Sequence, residues 1–97
     1  MQIEKKLDDG RLTLKVSGRL DTNTSGDLES ELKLEGVSKM TFDFSELEYI
    51  SSAGLRVLMM AQKAMMASGG EMEIASPNDM VRSVFDMTGM SSIFNIV

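Results

Sequence analysis

The sequence contains no cysteine and no histidine. Without cysteine there is no disulfide frame, no thiolate nucleophile and no zinc cluster. Without histidine the commonest general base and metal ligand are missing too. Basic residues are outnumbered, ten Lys and Arg against fifteen Asp and Glu, for a net charge of −5. They are scattered rather than clustered, which argues against nucleic acid as a direct partner. No apolar run approaches the length of a membrane span, and Met1-Gln2-Ile3-Glu4-Lys5 lacks the apolar stretch of a signal peptide. The expectation is a soluble, unexported, cytoplasmic protein with no membrane insertion. Aromatics are few, four Phe and one Tyr against ten Met. Methionine either fills gaps in a core or forms an adaptable binding surface, and the helix face on which each Met falls separates the two.

What is present describes an ordinary globule. The 97 residues, 42% hydrophobic and 26% charged, make a single domain spanning 1–97. Ile3 and Leu7, then Leu12, Leu14 and Val16, flank Asp8-Asp9-Gly10. This predicts a β-hairpin whose second strand ends at Gly18. N-cap residues across Asp21-Thr22-Asn23-Thr24-Ser25 precede Leu28 and Leu32, predicting a first helix over roughly 23–34 that stops at Gly36. Met40, Phe42 and Phe44 alternate as a strand. A second helix runs from about Ser52 to Ser68, stopped by Gly69-Gly70. Gly54, Leu58, Ala61 and Met65 form its core stripe. Its opposite face carries Arg56, Met59, Met60, Lys63 and Ala67, and two Met there are an anomaly on a nominally polar face. Met72 and Ile74 read as a strand. Ser76-Pro77-Asn78 starts a third helix, with Pro near its first position, and Gly89 ends it. Ile93, Phe94, Ile96 and Val97 close the chain as a short strand. The predicted class is α/β: a mixed sheet with helices packed against it, in the order β-β-α-β-α-β-α-β.

Chemistry concentrates at Ile50-Ser51-Ser52-Ala53-Gly54-Leu55-Arg56. Two hydroxyls sit where a strand ends and a long helix begins, beside unpaired backbone N–H groups and a partial positive charge. No histidine serves as base, no Gly-x-Ser-x-Gly elbow is present, and position 55 is Leu where a Ser-x-x-Lys pair needs Lys. Gly69-Gly70 lacks the Lys and Ser or Thr of a phosphate loop. The reading is a chain with no catalytic residues, no metal and no cofactor. Ser51 and Ser52 are either a helix cap, contributing about 1 kcal/mol, or a phosphorylation site. A phosphoserine there is compatible with the fold, yet costly to bury in a docked interface.

Four stretches together resemble one family. They are Gly18-Arg19-Leu20-Asp21, the segment Phe42 to Ile50, Ser51-Ser52-Ala53-Gly54-Leu55-Arg56-Val57-Leu58, and Ser76-Pro77 followed by Val84-Phe85-Asp86-Met87-Thr88-Gly89. The chain resembles a STAS domain, and within that family the bacterial anti-sigma factor antagonists. The resemblance implies a protein that, unphosphorylated, binds an anti-sigma factor and so releases a sigma factor. The partner is often an ATP-dependent serine kinase that phosphorylates the antagonist, and a serine phosphatase resets it. The phosphoacceptor position falls on Ser52, with Ser51 as a second acceptor where many family members carry Asp. The partner surface implied is Asp21, Thr22, Ser51, Ser52, Arg56, Met59, Met60 and Lys63. The first helix and the C-terminus look short for the family, which could leave apolar surface exposed near Phe94 and Val97. The alternative is a STAS module of another assembly, such as a lipid transporter component or a stress-signalling scaffold, with the serine a simple cap.

Overall fold

Asp9 and Gly10 both take positive φ, 50° and 80°, the backbone a two-residue type I′ hairpin turn requires. They join β1 (Gln2–Asp8) to β2 (Arg11–Leu20), paired antiparallel from Gln2 opposite Ser17 to Asp8 opposite Arg11. The computed structural model describes all residues, 1–97. After β2 come α1 (Ser25–Ser30), β3 (Lys39–Asp43), β4 (Leu47–Ile50), α2 (Ser52–Ala67), β5 (Glu71–Ala75), α3 (Asp79–Thr88), a 3-10 turn (Met90–Ser92) and β6 (Asn95–Ile96). The main sheet runs β1-β2-β3-β5-β6, parallel except for the hairpin, and β4 pairs parallel with the end of β2.

The alternation in each strand sorts one apolar face from one polar face. Leu12, Leu14 and Val16 of β2, Met40 and Phe42 of β3, and Met72 and Ile74 of β5 are buried. Leu28 of α1, Val57, Leu58, Ala61 and Met65 of α2, and Val81 and Phe85 of α3 join them in one continuous core. The opposite face carries Lys15, Lys39, Thr41 and Glu73. There Lys39 Nζ lies 3.6 Å from Glu73, and the Thr41 hydroxyl donates to the same carboxylate at 3.0 Å.

The α/β class holds, with one more strand than expected: the order is β-β-α-β-β-α-β-α-β. The added strand β4 buries Leu47 and Ile50, three residues apart, so it lacks the period-2 signature. β2 does not end at Gly18. There φ is 87°, and a register shift between Gly18 and Arg19 turns the strand onto β4, the use to which a bulge is put. The first helix stops at Ser30 rather than near 34. Leu32 and Leu34, half-buried against the core, then follow as irregular chain, and Gly36 serves the turn before β3 with φ 77°. The last strand shrinks to Asn95–Ile96. Phe94 instead turns inward to meet Phe85 edge-on, ring centroids 5.6 Å apart, while Ile93 and Val97 stay exposed.

Asn78 is the cap of α3, with Pro77 buried just before it rather than inside the helix. Its Oδ1 accepts from the Val81 N–H at 2.8 Å, and its Nδ2 donates to the Leu47 carbonyl at 3.0 Å. One side chain thus caps α3 and ties it to β4. We expect Asn78→Ala to lower unfolding free energy by about 1–2 kcal/mol. Urea denaturation measures this, with Asn78→Asp recovering the cap but not the tie to Leu47.

Candidate functional site

The candidate site is built where β2 and β4 end side by side and α2 begins. Leu20 lies opposite Ile50 in the parallel pairing. One residue on, the Ser51 N–H donates to the Leu20 carbonyl at 2.9 Å. This bond fixes where the chain leaves the sheet. Ser51 is extended, with φ −103° and ψ 176°, and caps α2: its Oγ accepts from the Gly54 N–H at 3.4 Å and its carbonyl from the Leu55 N–H at 3.0 Å.

Gly54 presses this corner onto the sheet. A Cβ at position 54 would lie 2.8 Å from Leu20 Cγ, 2.9 Å from Ile50 Cγ1 and 3.0 Å from the Leu20 carbonyl oxygen. No side chain fits there, and the first turn of α2 sits against both strand ends because of it.

The two serines therefore divide their roles. Ser51 is half-buried and committed to the cap. Ser52, the first helical residue, is exposed, and its hydroxyl faces water beside the N–H groups that open the helix. Sequence spacing alone left open which serine did which.

Asp21 and Thr22 follow directly from Leu20 and so border Ser51. Asp21 is held rigidly. Its Oδ1 accepts from the N–H groups of Asn23 at 3.0 Å and Thr24 at 3.2 Å, and from the Thr24 hydroxyl at 3.2 Å. Arg19 Nε stands 3.8 Å from its other oxygen. Partial desolvation pushes its pKa up, but the Asn23 and Thr24 donors and the Arg19 charge outweigh it, so the carboxyl sits below its usual value and stays ionised. Asp43, on the polar sheet face, is likewise lowered, first by the Ser45 N–H, against burial, and then by the Ser45 hydroxyl and Lys15. Thr22 is exposed.

Along α2, Arg56 and Lys63 are exposed and Met60 is 39% exposed. These three continue outward from Ser52. Met59 does not: it is half-buried and packs against the core, so it supports the helix more than it presents a surface. Of the ten Met, Met40, Met65 and Met72 are buried, whereas Met60, Met66, Met80 and Met87 are exposed. Some methionines thus fill the core, while others stand at the surface.

Two neighbours of the site had no sequence signal. Tyr49 of β4 lies under the Arg19 guanidinium, 4.3 Å from ring centroid to Cζ, a contact that exists only because the unanticipated strand pairs Arg19 with Tyr49. Glu29 of α1 reaches Arg56 Nη2 at 4.0 Å.

Similarity to known proteins agrees with this architecture. The STAS domain family model matches residues 2–97. The Bordetella bronchiseptica protein BtrV, a candidate anti-sigma factor antagonist, is 34% identical over 91 residues, covering 91% of this chain and 78% of its own length. The anti-sigma F factor antagonist of Paenibacillus polymyxa is 28% identical over 100 residues, covering 99% and 86%. The structure of the anti-sigma factor antagonist SpoIIAA in its unphosphorylated form aligns with a TM-score of 0.86 at 16% identity, over 99% of this chain and 88% of that one. The phosphorylated form of that Bacillus cell fate determinant aligns at 0.79 and 15% identity, over 99% and 91%. At such identities the structural likeness speaks for the fold, while the family model speaks for descent over almost the whole length. The chain belongs to the STAS domain family.

Proposed function

We propose that this protein is an anti-sigma factor antagonist that works by partner switching. Unphosphorylated, it binds an anti-sigma factor through the rim formed by Asp21, Thr22, Ser51, Ser52, Arg56, Met60 and Lys63, and the sigma factor is released. Phosphorylation of Ser52 ends the binding. The partner is itself the serine kinase and brings the ATP, and a serine phosphatase restores the binding form. In the phosphorylation step the bond between the γ-phosphorus of ATP and its bridging oxygen breaks as the Ser52 Oγ–P bond forms. ADP leaves, and the hydroxyl proton passes to a base on the kinase. The domain acts as a binding module and contributes no catalysis of its own.

One observation carries this reading: Ser51 supplies the cap, so the exposed Ser52 hydroxyl has no structural duty and is free to be modified. The physics of the position supports it. A phosphoserine brings a charge of about −1.5 to −2, welcome at a helix N-terminus in water and unwelcome in a docked interface without a cation to meet it. Driving a two-state equilibrium from about 1% to 99% takes about 5.5 kcal/mol, and a dianion sealed into an interface with no cation on the partner to meet it supplies much of it. The names of the curated relatives point the same way.

Mass spectrometry after incubation with ATP and the cognate anti-sigma kinase tests the assignment. We expect a single phosphate, mapped to the peptide at Ser52 and absent in Ser52→Ala. A phosphate on Ser51, or none on either serine, overturns it.

A further inference from the structure

Arg56 stands one helical turn beyond Ser52, at i+4. Side chains on a helix lean towards its N-terminus, so a residue at i+4 reaches over residue i. Its side chain is 67% exposed, and its one tie is a 4.0 Å ion pair to Glu29, whose side chain is 44% exposed. Such a long surface pair contributes little. Of the other charges, Asp21 is paired with Arg19 at the end of β2, and Lys63 lies two turns further along the helix.

We propose that Arg56 is an internal receiver of the switch, leaving Glu29 and folding back onto the phosphate once Ser52 carries one. The inference rests on Ser52 as the position of the phosphate. A phosphate offers more charge than the Glu29 carboxylate, and a guanidinium binds it with two parallel N–H donors. Glu29, now facing like charge, is repelled. Phosphorylation therefore does more than add negative charge to the rim. It also withdraws a cation from it, so the partner surface that meets Arg56 presents a carboxylate, which loses its counter-charge when the switch is thrown. It also removes the ionic tie between α1 and α2. The six-residue α1, whose N-cap Thr24 makes no side-chain cap bond, is held chiefly by its buried Ser25 and Leu28 in either state.

The test places phosphoserine at position 52 of the full chain by chemical ligation and follows its second ionisation by phosphorus NMR at low salt. We expect the second pKa to lie about 0.3 unit lower in the parent than in Arg56→Gln, the shift that an i, i+4 ion pair of about 0.2–0.5 kcal/mol produces. Arg56→Lys should retain most of the shift, Glu29→Gln should enlarge it, and about 1 M salt should abolish it. Equal values in the parent and Arg56→Gln at low salt overturn the proposal. The same phosphoserine protein, titrated with the anti-sigma factor, tests the switch separately. Undiminished binding sinks the partner-switching reading without touching the phosphate–arginine result.

Discussion

Ser52→Asp is expected to bind the anti-sigma factor at least about a hundredfold more weakly than the parent, while Ser52→Ala binds as the parent does. The factor corresponds to about 2.8 kcal/mol. It lies just below the range of about 3–5 kcal/mol for a buried charge left without its partner, because a carboxylate carries less charge than a phosphate and is shorter. The same substitution should leave the fold intact or make it slightly firmer. An acid in the first turn of a helix gains about 0.3–1 kcal/mol from the N-terminal dipole, and α2 has no acidic residue there. Isothermal titration of both variants, paired with thermal unfolding, separates the effects. Equal affinity for Ser52→Asp and Ser52→Ala would mean that this hydroxyl does not lie in the interface.

Gly54→Ala is expected to destabilise the domain by about 2 kcal/mol, although alanine is the better helix former by about 1 kcal/mol. The reason is position. The new methyl would meet Leu20 and Ile50 inside 3.0 Å, and both side chains are at most 1% exposed, so neither can swing into solvent. α2 must then lift from the strand ends. Lifting stretches the Ser51 N–H bond to Leu20 and moves Ser52 with it, so affinity for the anti-sigma factor falls together with stability. Urea denaturation gives the first effect, and binding measured well below the unfolding midpoint gives the second. A Gly54→Ala variant as stable as the parent would show that the corner has slack the structure does not display.

Much of this was legible before any coordinates. The Asp9-Gly10 turn, the alternation through Leu12, Leu14 and Val16, and the stripe Gly54, Leu58, Ala61 and Met65 each bury what their spacing says they bury. Elements whose pattern is made by tertiary contacts were not legible. β4 has Leu47 and Ile50 inward across a non-alternating stretch because it must bend from β3 into α2. α1 ends early because Leu32 and Leu34 pack as irregular chain, although the spacing of Leu28 and Leu32 fits a longer helix. At the rim, the sequence places two adjacent serines at a helix start, and only the bond from Ser51 to Gly54 tells which is structural. Met59 and Met60 differ by one position and about 100° around the helix, enough to send one partly into the core and leave the other at the surface. The Glu29–Arg56 contact joins residues far apart in sequence and carries no local signal.

β2 is forked, its first half against β3 and its last residues against β4. The strand that crosses the core is thus the same strand whose last carbonyl holds the serine turn. Only the bulge at Gly18 separates the two halves, and Ser52 lies exposed. On the proposed reading, a kinase or phosphatase would reach Ser52 on the resting molecule, without waiting for an internal motion. The tempo of such a signal would then be set by encounter and turnover of the enzymes proposed to write and erase it.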